Sequence, residues 1–295
     1  MKANKSTITR LFQKLGLEAL PAHVFTANDR ASSARLADLF GTEVPLVVRT
    51  AASNETRNLP RLVGRTAADA SGWISTLPHD LDVIVQPFDE VLFSVEVGIY
   101  DQGELFELIP GIWELDSRAT PATVSIDRRA GTVKTTWPVE EQPVKWYCLP
   151  LGYHAAEAKI EDWQLRVTID WIRHNRAALD TIAELYGQPC GLKVHYAQHY
   201  GLSPQNVRTG LPDRIGPADP KPHNHAIITE LDQKIPKEES LTLDVGIARE
   251  DHARLALLIQ RIRAQGVRTV WLRSGVLSHL AIMLREAGLE TRSVQ

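Results

Sequence analysis

Ser278-His279 opens the segment of this chain best suited to covalent chemistry. A β-rich run, Val267 to Leu272, leads into the loop Arg273-Ser-Gly-Val-Leu277, and an amphipathic helix is expected over 278–287. The first amides of a helix lack an intrahelical acceptor, and the helix dipole is positive there, so negative charge is favoured. A histidine in that place can accept a phosphoryl group, since its ring nitrogen is nucleophilic and the product is an anion. The same pattern has a plainer use, a serine N-cap followed by a solvent-facing histidine. His223-Asn-His225 offers two metal-binding side chains, but in a Pro-rich stretch with no third ligand nearby. Cys148 and Cys190 have no metal-ligand spacing and imply a reducing compartment without a disulfide framework.

A packed scaffold must position any such site, and 295 residues suffice for two domains. With 43% apolar and 23% charged residues, the chain has the composition of a folded protein. A net charge of −3 provides no electrostatic case for binding nucleic acid or an anionic membrane. No apolar run approaches the length of a membrane span, and none follows Lys2 and Lys5 as in a signal peptide. The expected location is the cytoplasm. The tryptophans, Trp113, Trp137 and Trp146 among them, are expected in cores or interfaces rather than on a base-stacking platform.

The expected elements alternate at first. A helix over 7–18 precedes a strand from Ala22 to Phe25, and Asn28 or Asp29 caps a helix reaching Phe40. A buried strand, Pro45 to Val48, ends in Arg49. Thr66 caps a helix over 66–76, and the strand Leu81–Gln86 runs into Pro87-Phe-Asp-Glu90. Phe93 to Tyr100 alternates apolar and polar residues and turns at Asp101-Gln-Gly103 into a returning strand, Glu104 to Ile109. A hairpin spans 122–128 and 132–137. Helical spacing covers 155–186 as one helix or two, ended by Gly187-Gln-Pro189. A further hairpin pairs Lys193–Gln198 with Ser203–Val207. Prolines and glycines mark 209–225 as a linker. Beyond it, Leu241–Ile247, a helix through Ile262, strand 267–272, helix 278–287 and strand 289–294 imply a parallel sheet.

Several segments together resemble one known family. They are Asn4–Leu11 with Leu20-Pro-Ala-His-Val-Phe25, Val48-Arg-Thr-Ala-Ala52, Val83-Ile-Val-Gln-Pro87 and Phe106–Glu114. Thr120-Pro-Ala-Thr-Val124, Ile182-Ala-Glu-Leu-Tyr-Gly-Gln-Pro189 and the stretch Gly275–Gly288 complete the set. Their shared order is similar to that of the phosphoenolpyruvate synthase and pyruvate phosphate dikinase family. The resemblance implies an α+β and α/β chain. An ATP-grasp-like two-lobed domain would occupy 1–208, a Pro-rich linker 209–225, and a small α/β swivelling domain of the phosphohistidine type 226–295. The family's large barrel for pyruvate and phosphoenolpyruvate has no counterpart in these residues.

By the same resemblance the cofactors are ATP and Mg²⁺. His279 would take the phosphoryl group and pass it to another polypeptide or a small molecule. Phosphoryl transfer needs positioning and positive charge around the phosphates. Arg49 would clamp them and Lys5 would add a second cation. Gln86, Pro87 and Phe88 would face the adenine edge. Glu96 or Glu107 would hold ribose or Mg²⁺, with Glu107 the metal ligand. Gln205 and Arg208 match the family's closing Gln-x-Arg with one extra residue.

Other departures favour a second reading, a nucleotide-binding or structural partner that keeps the fold without catalysis. The Gly-Gly before Lys5 is absent. Val276 and Leu277 add bulk beside Gly275. Lys193-Val-His-Tyr196 stands where the family places its metal carboxylates, which puts a cation where Mg²⁺ should bind.

Overall fold

Leu46 and Val48 face one side of their strand, and Val47 and Arg49 face the other; this alternation sets the first layer of the molecule. A computed structural model describes residues 4–17, 19–26, 32–52, 59–112, 119–136, 141–148, 152–212, 226–245 and 252–294. The first lobe contains β1 (His23–Phe25), α2 (Ser33–Phe40), β2 (Leu46–Ala51), β3 (Arg61–Arg65), α3 (Ala67–Ser75) and β4 (Asp82–Pro87), preceded by α1 (Lys5–Lys14). Its four strands pair antiparallel in the order β1-β4-β2-β3. Leu46 and Val48 join Leu36, Ala70, Ile74, Val83 and Val85 in a core under α2 and α3.

The second lobe is a six-stranded antiparallel sheet. It is built from β5 (Val91–Tyr100), β6 (Gly103–Pro110), β7 (Ala122–Asp127), β8 (Val133–Thr136), β11 (Cys190–Ala197) and β12 (Gly201–Arg208). The strands run in the order β12-β11-β5-β6-β7-β8. Phe93, Val95, Val97, Phe106, Leu108, Leu192 and Val194 pack against α1, α4 (Asp162–His174) and α5 (Arg176–Tyr186). The alternate residues point to the opposite face. Lys193 lies opposite Glu96, and Glu96 opposite Glu107, so all three side chains share that face. A separate hairpin, β9 (Gln142–Cys148) with β10 (Gly152–Ala158), lies between these strands in sequence.

The C-terminal unit is a four-stranded parallel sheet, β13 (Ile227–Ile228), β14 (Ser240–Leu243), β15 (Thr269–Leu272) and β16 (Glu290–Ser293). Helices α6 (His252–Ala264) and α7 (His279–Glu286) accompany it and share a core with Leu241, Val270 and Leu272.

The mixed α+β and α/β architecture with two sheet-based lobes is the one expected. Several local details are corrected. Ser32 caps α2 and accepts from the Arg35 amide; Asn28 and Asp29 lie outside the described residues. Asn4 caps α1, which ends at Lys14 rather than 18, with Gly16 following in a left-handed conformation. Residues 155–158 belong to a strand, because β9 offers a hydrogen-bonded partner that outweighs the helical spacing. The helical stretch is two helices meeting at Asn175. Strands β3, β9, β10 and β13 were not expected. Trp146 packs partly buried beside Ile109 and Val144. Trp113, Trp137, His223, His225 and residues 213–225 of the expected linker lie outside the described residues.

Candidate functional site

Arg49 spans the gap between the two lobes. It stands on the face of β2 opposite the helices, where Val47 and Arg49 border a cleft of about 370 Å³. One terminal nitrogen donates to Gln86 on β4 at 2.8 Å, and the other to Gln205 on β12 at 3.0 Å. These two partners are neutral amides, which fix the planar guanidinium in place. Lys5, Arg61 and Lys193 border the same cleft, together with Phe88, Asp89, His195 and Asn206. Among the described residues the lining thus carries four cations and one carboxylate. The cleft volume is that of a small-molecule site, roughly 300–1,000 Å³.

His195 deepens the basic character without adding charge. Burial, reinforced by Lys193, Arg49 and Arg208, holds its imidazole well below the ordinary histidine value. It is therefore neutral near pH 7, and its buried Nε2 has no hydrogen-bond partner.

The hinge strand makes contacts of its own within the protein. The Gln86 side chain holds Arg49, Pro87 has no amide hydrogen, and the Phe88 amide donates to the Pro45 carbonyl at 2.6 Å. Phe88 lines the cleft and Pro87 does not.

Glu96 and Glu107 lie on the cleft-side face of the large sheet but not in the cleft lining. Arg208 grips Glu96 through two nitrogens, each at 2.8 Å. Glu107 accepts the backbone amides of Val276 and Leu277 at 2.8 and 2.9 Å. It is fully buried, and this desolvation pushes its carboxyl up to about 7 against the opposing pull of the two amides. Both oxygens of Glu107, expected as a metal ligand, hold the loop before α7. Leu277 is a docking residue buried among Tyr100, Leu105, Leu211 and Ile282.

The same docking determines where His279 sits. Ser278 caps α7, its hydroxyl accepting from the Ala281 amide and donating to the Gly275 carbonyl. His279 is exposed at the start of that helix, with Nδ1 3.4 Å from Arg208. Gln205 and Arg208 occupy one strand, so Arg49 and His279 touch the same strand roughly 10 Å apart at about 3.3 Å per residue. The loop 272–279 is absent from the cleft lining.

Of the expected site residues, Lys5, Arg49, Gln86, Phe88 and Gln205 converge on the cleft. Glu96, Arg208 and His279 form an adjacent chain of contacts, and Glu107 belongs to the docked loop. Arg61, Asn206 and Asp89 also border the cleft. Asp89 is already in use, accepting from the Glu90 and His199 amides and bonding the His199 ring. Among the described residues no group of three His, Cys, Asp or Glu could hold a metal ion. Among the described residues, Asp89, Glu96 and Glu107 are each bound to protein partners. No helix among the described residues is long and apolar enough to cross a membrane.

No family model matches the chain, and no curated protein matches it. Solved structures are similar to part of this chain. One is the D-alanine–D-alanine ligase of Bacillus anthracis, with 11% identity and a TM-score of 0.38 over 70% of this chain and 56% of that one. Another is the carboxyaminoimidazole ribonucleotide synthase of Aspergillus clavatus complexed with ATP, with 11% identity, a TM-score of 0.39, and coverage of 69% and 44%. A D-cycloserine synthetase matches at 13% identity and a TM-score of 0.38, with coverage of 70% and 61%. The chain spans less than two thirds of the length of each. These likenesses are too slight to argue activity or substrate.

Proposed function

We propose that this is an ATP-grasp-like nucleotide-binding protein whose inter-lobe cleft takes the polyphosphate of ATP. The observation carrying this reading is Arg49, held by neutral glutamines from both lobes in a cleft bordered by three further cations. A guanidinium fixed in this way meets phosphate oxygens with both geometry and charge ready. Phe88 gives the cleft an aromatic surface suited to a base. Titrating the protein with ATP, adenosine and tripolyphosphate by calorimetry tests the reading. ATP should bind tightest, and tripolyphosphate more tightly than adenosine. Equal silence from ATP and tripolyphosphate would sink it.

A second reading adds phosphoryl transfer to His279, and the Arg208–His279 contact favours it. Nδ1 faces the Arg208 donor and is thus the unprotonated ring nitrogen; once it parts from Arg208 it would attack the γ-phosphorus. The bond from that phosphorus to the β–γ bridging oxygen would break, ADP would leave, and the ring would release its proton. The phosphate would then pass to an acceptor outside these residues, another polypeptide or a small molecule. Incubation with γ-labelled ATP should leave an acid-labile label on the wild type and none on His279→Ala. An unlabelled wild type removes this second reading and leaves nucleotide binding standing.

A further inference from the structure

His195 is built into the cleft in a way that the fold itself does not use. It stands on β11 two residues from Lys193 and lines the cavity with Lys193 and Arg49. Its neighbours across the ladder are Ser94 on β5 and Ser203 on β12. Both hydroxyls are engaged elsewhere. Ser94 donates to the Gly111 carbonyl at 2.8 Å, and Ser203 accepts from the Leu20 amide at 3.4 Å. The buried Nε2 of His195 is left with no hydrogen-bond partner among the described residues.

Buried polar atoms in folded proteins are nearly always bonded, because a bare one forfeits the hydrogen bond it had with water. An unused polar atom inside a binding cavity therefore marks a contact for the ligand to complete. The surroundings select the ligand atom. Lys193, Arg49 and Arg208 all act on the ring electrostatically and, together with burial, hold it in the neutral form. Their field reaches the ring whatever else they bind. A neutral imidazole carries one N–H. With that hydrogen on Nε2 the ring is a donor, and the acceptor favoured beside three cations is an anionic oxygen.

We infer that His195 is a ligand-binding residue of the cleft whose Nε2 donates to a phosphate oxygen of the nucleotide. The inference rests on the nucleotide-binding reading above and adds a contact to it. It makes His195 a residue that weakens the free protein and strengthens the complex.

Calorimetry and thermal unfolding of the full chain test this with two variants. His195→Leu removes the hydrogen bond and the buried polar atom together. It should bind ATP and tripolyphosphate about tenfold more weakly, by the same factor for both. Without ligand it should melt a few degrees above wild type. His195→Gln places an amide N–H near the position of Nε2 and should recover most of the affinity. A histidine that only shapes the cleft gives another pattern: His195→Leu melts below wild type, and His195→Gln recovers no affinity. That pattern overturns the inference, as does equal affinity of wild type and His195→Leu. A loss confined to ATP overturns it too, since it puts the contact on the base or sugar. Wild type that binds neither ATP nor tripolyphosphate overturns the nucleotide reading itself.

Discussion

Arg49 is fixed by two glutamine side chains that carry no charge. A carboxylate in place of either glutamine would satisfy the guanidinium and leave little for a ligand. Arg49→Ala should therefore weaken ATP binding on the order of tenfold to a hundredfold, the worth of one or two charge-assisted hydrogen bonds. Arg49→Lys should recover part of that loss, because a point charge keeps the attraction but not the two-pronged geometry. Calorimetry on both variants decides this; equal affinity in wild type and Arg49→Ala would refute the role. Arg49 was legible in the sequence as an arginine closing an apolar strand. Arg61 was not, since β3 is short, starts and ends in arginine, and contains Gly64. The use made of Glu107 was also hidden. Its partner Leu277 lies 170 residues away, and a glutamate in an alternating strand reads as a polar face until the element that covers it is known.

At the scale of elements, the short loop between β15 and α7 is a fitted piece. Gly275 adopts a φ of +83° and presses against Glu107 so closely that an added Cβ would come within 2.3 Å of a carboxylate oxygen. Gly266 has nearly the same φ, +82°, but open space around it. The two glycines separate backbone strain from contact. Gly266→Ala should cost about 1 kcal/mol from the left-handed conformation alone. Gly275→Ala should cost roughly 1–3 kcal/mol more, by displacing the loop from Glu107 and stranding that carboxylate. Urea unfolding of the two variants measures the gap, and equal losses would mean that the loop does not depend on this contact. The alternation over 93–100 identified β5 correctly, because a sheet covered on one side by helices imposes period two. Residues 155–158 misled for the opposite reason. Small alanines fit either period, and only the pairing with β9 makes them a strand.

Taken as a whole, the molecule couples its C-terminal unit to its large sheet through one buried acid, and so makes its stability respond to pH. Glu107 is wholly buried, and desolvation raises its carboxyl from an ordinary 4.5 to about 7 in the folded protein. The Leu277 and Val276 amides and the Arg285 cation pull the other way, while Glu96 adds to the rise. A raised folded value means that the native state holds a proton which the unfolded chain releases at lower pH. The contribution of Glu107 is thus most favourable below about 4.5 and declines as pH rises towards 7. Above that it is constant and least favourable, since the buried group is then charged. The span corresponds to about 3 kcal/mol at roughly 1.4 kcal/mol per unit. Other groups titrate in the same range, so the measurement is a difference. Unfolding free energies of wild type and Glu107→Gln, compared at pH 8 and pH 5, should show the wild type gaining about 1–3 kcal/mol relative to the variant on acidification. The amide keeps the shape and one acceptor without titrating. A difference that stays flat between the two pH values would mean that Glu107 ionises as it does in water, and that the loop before His279 does not seal it from solvent.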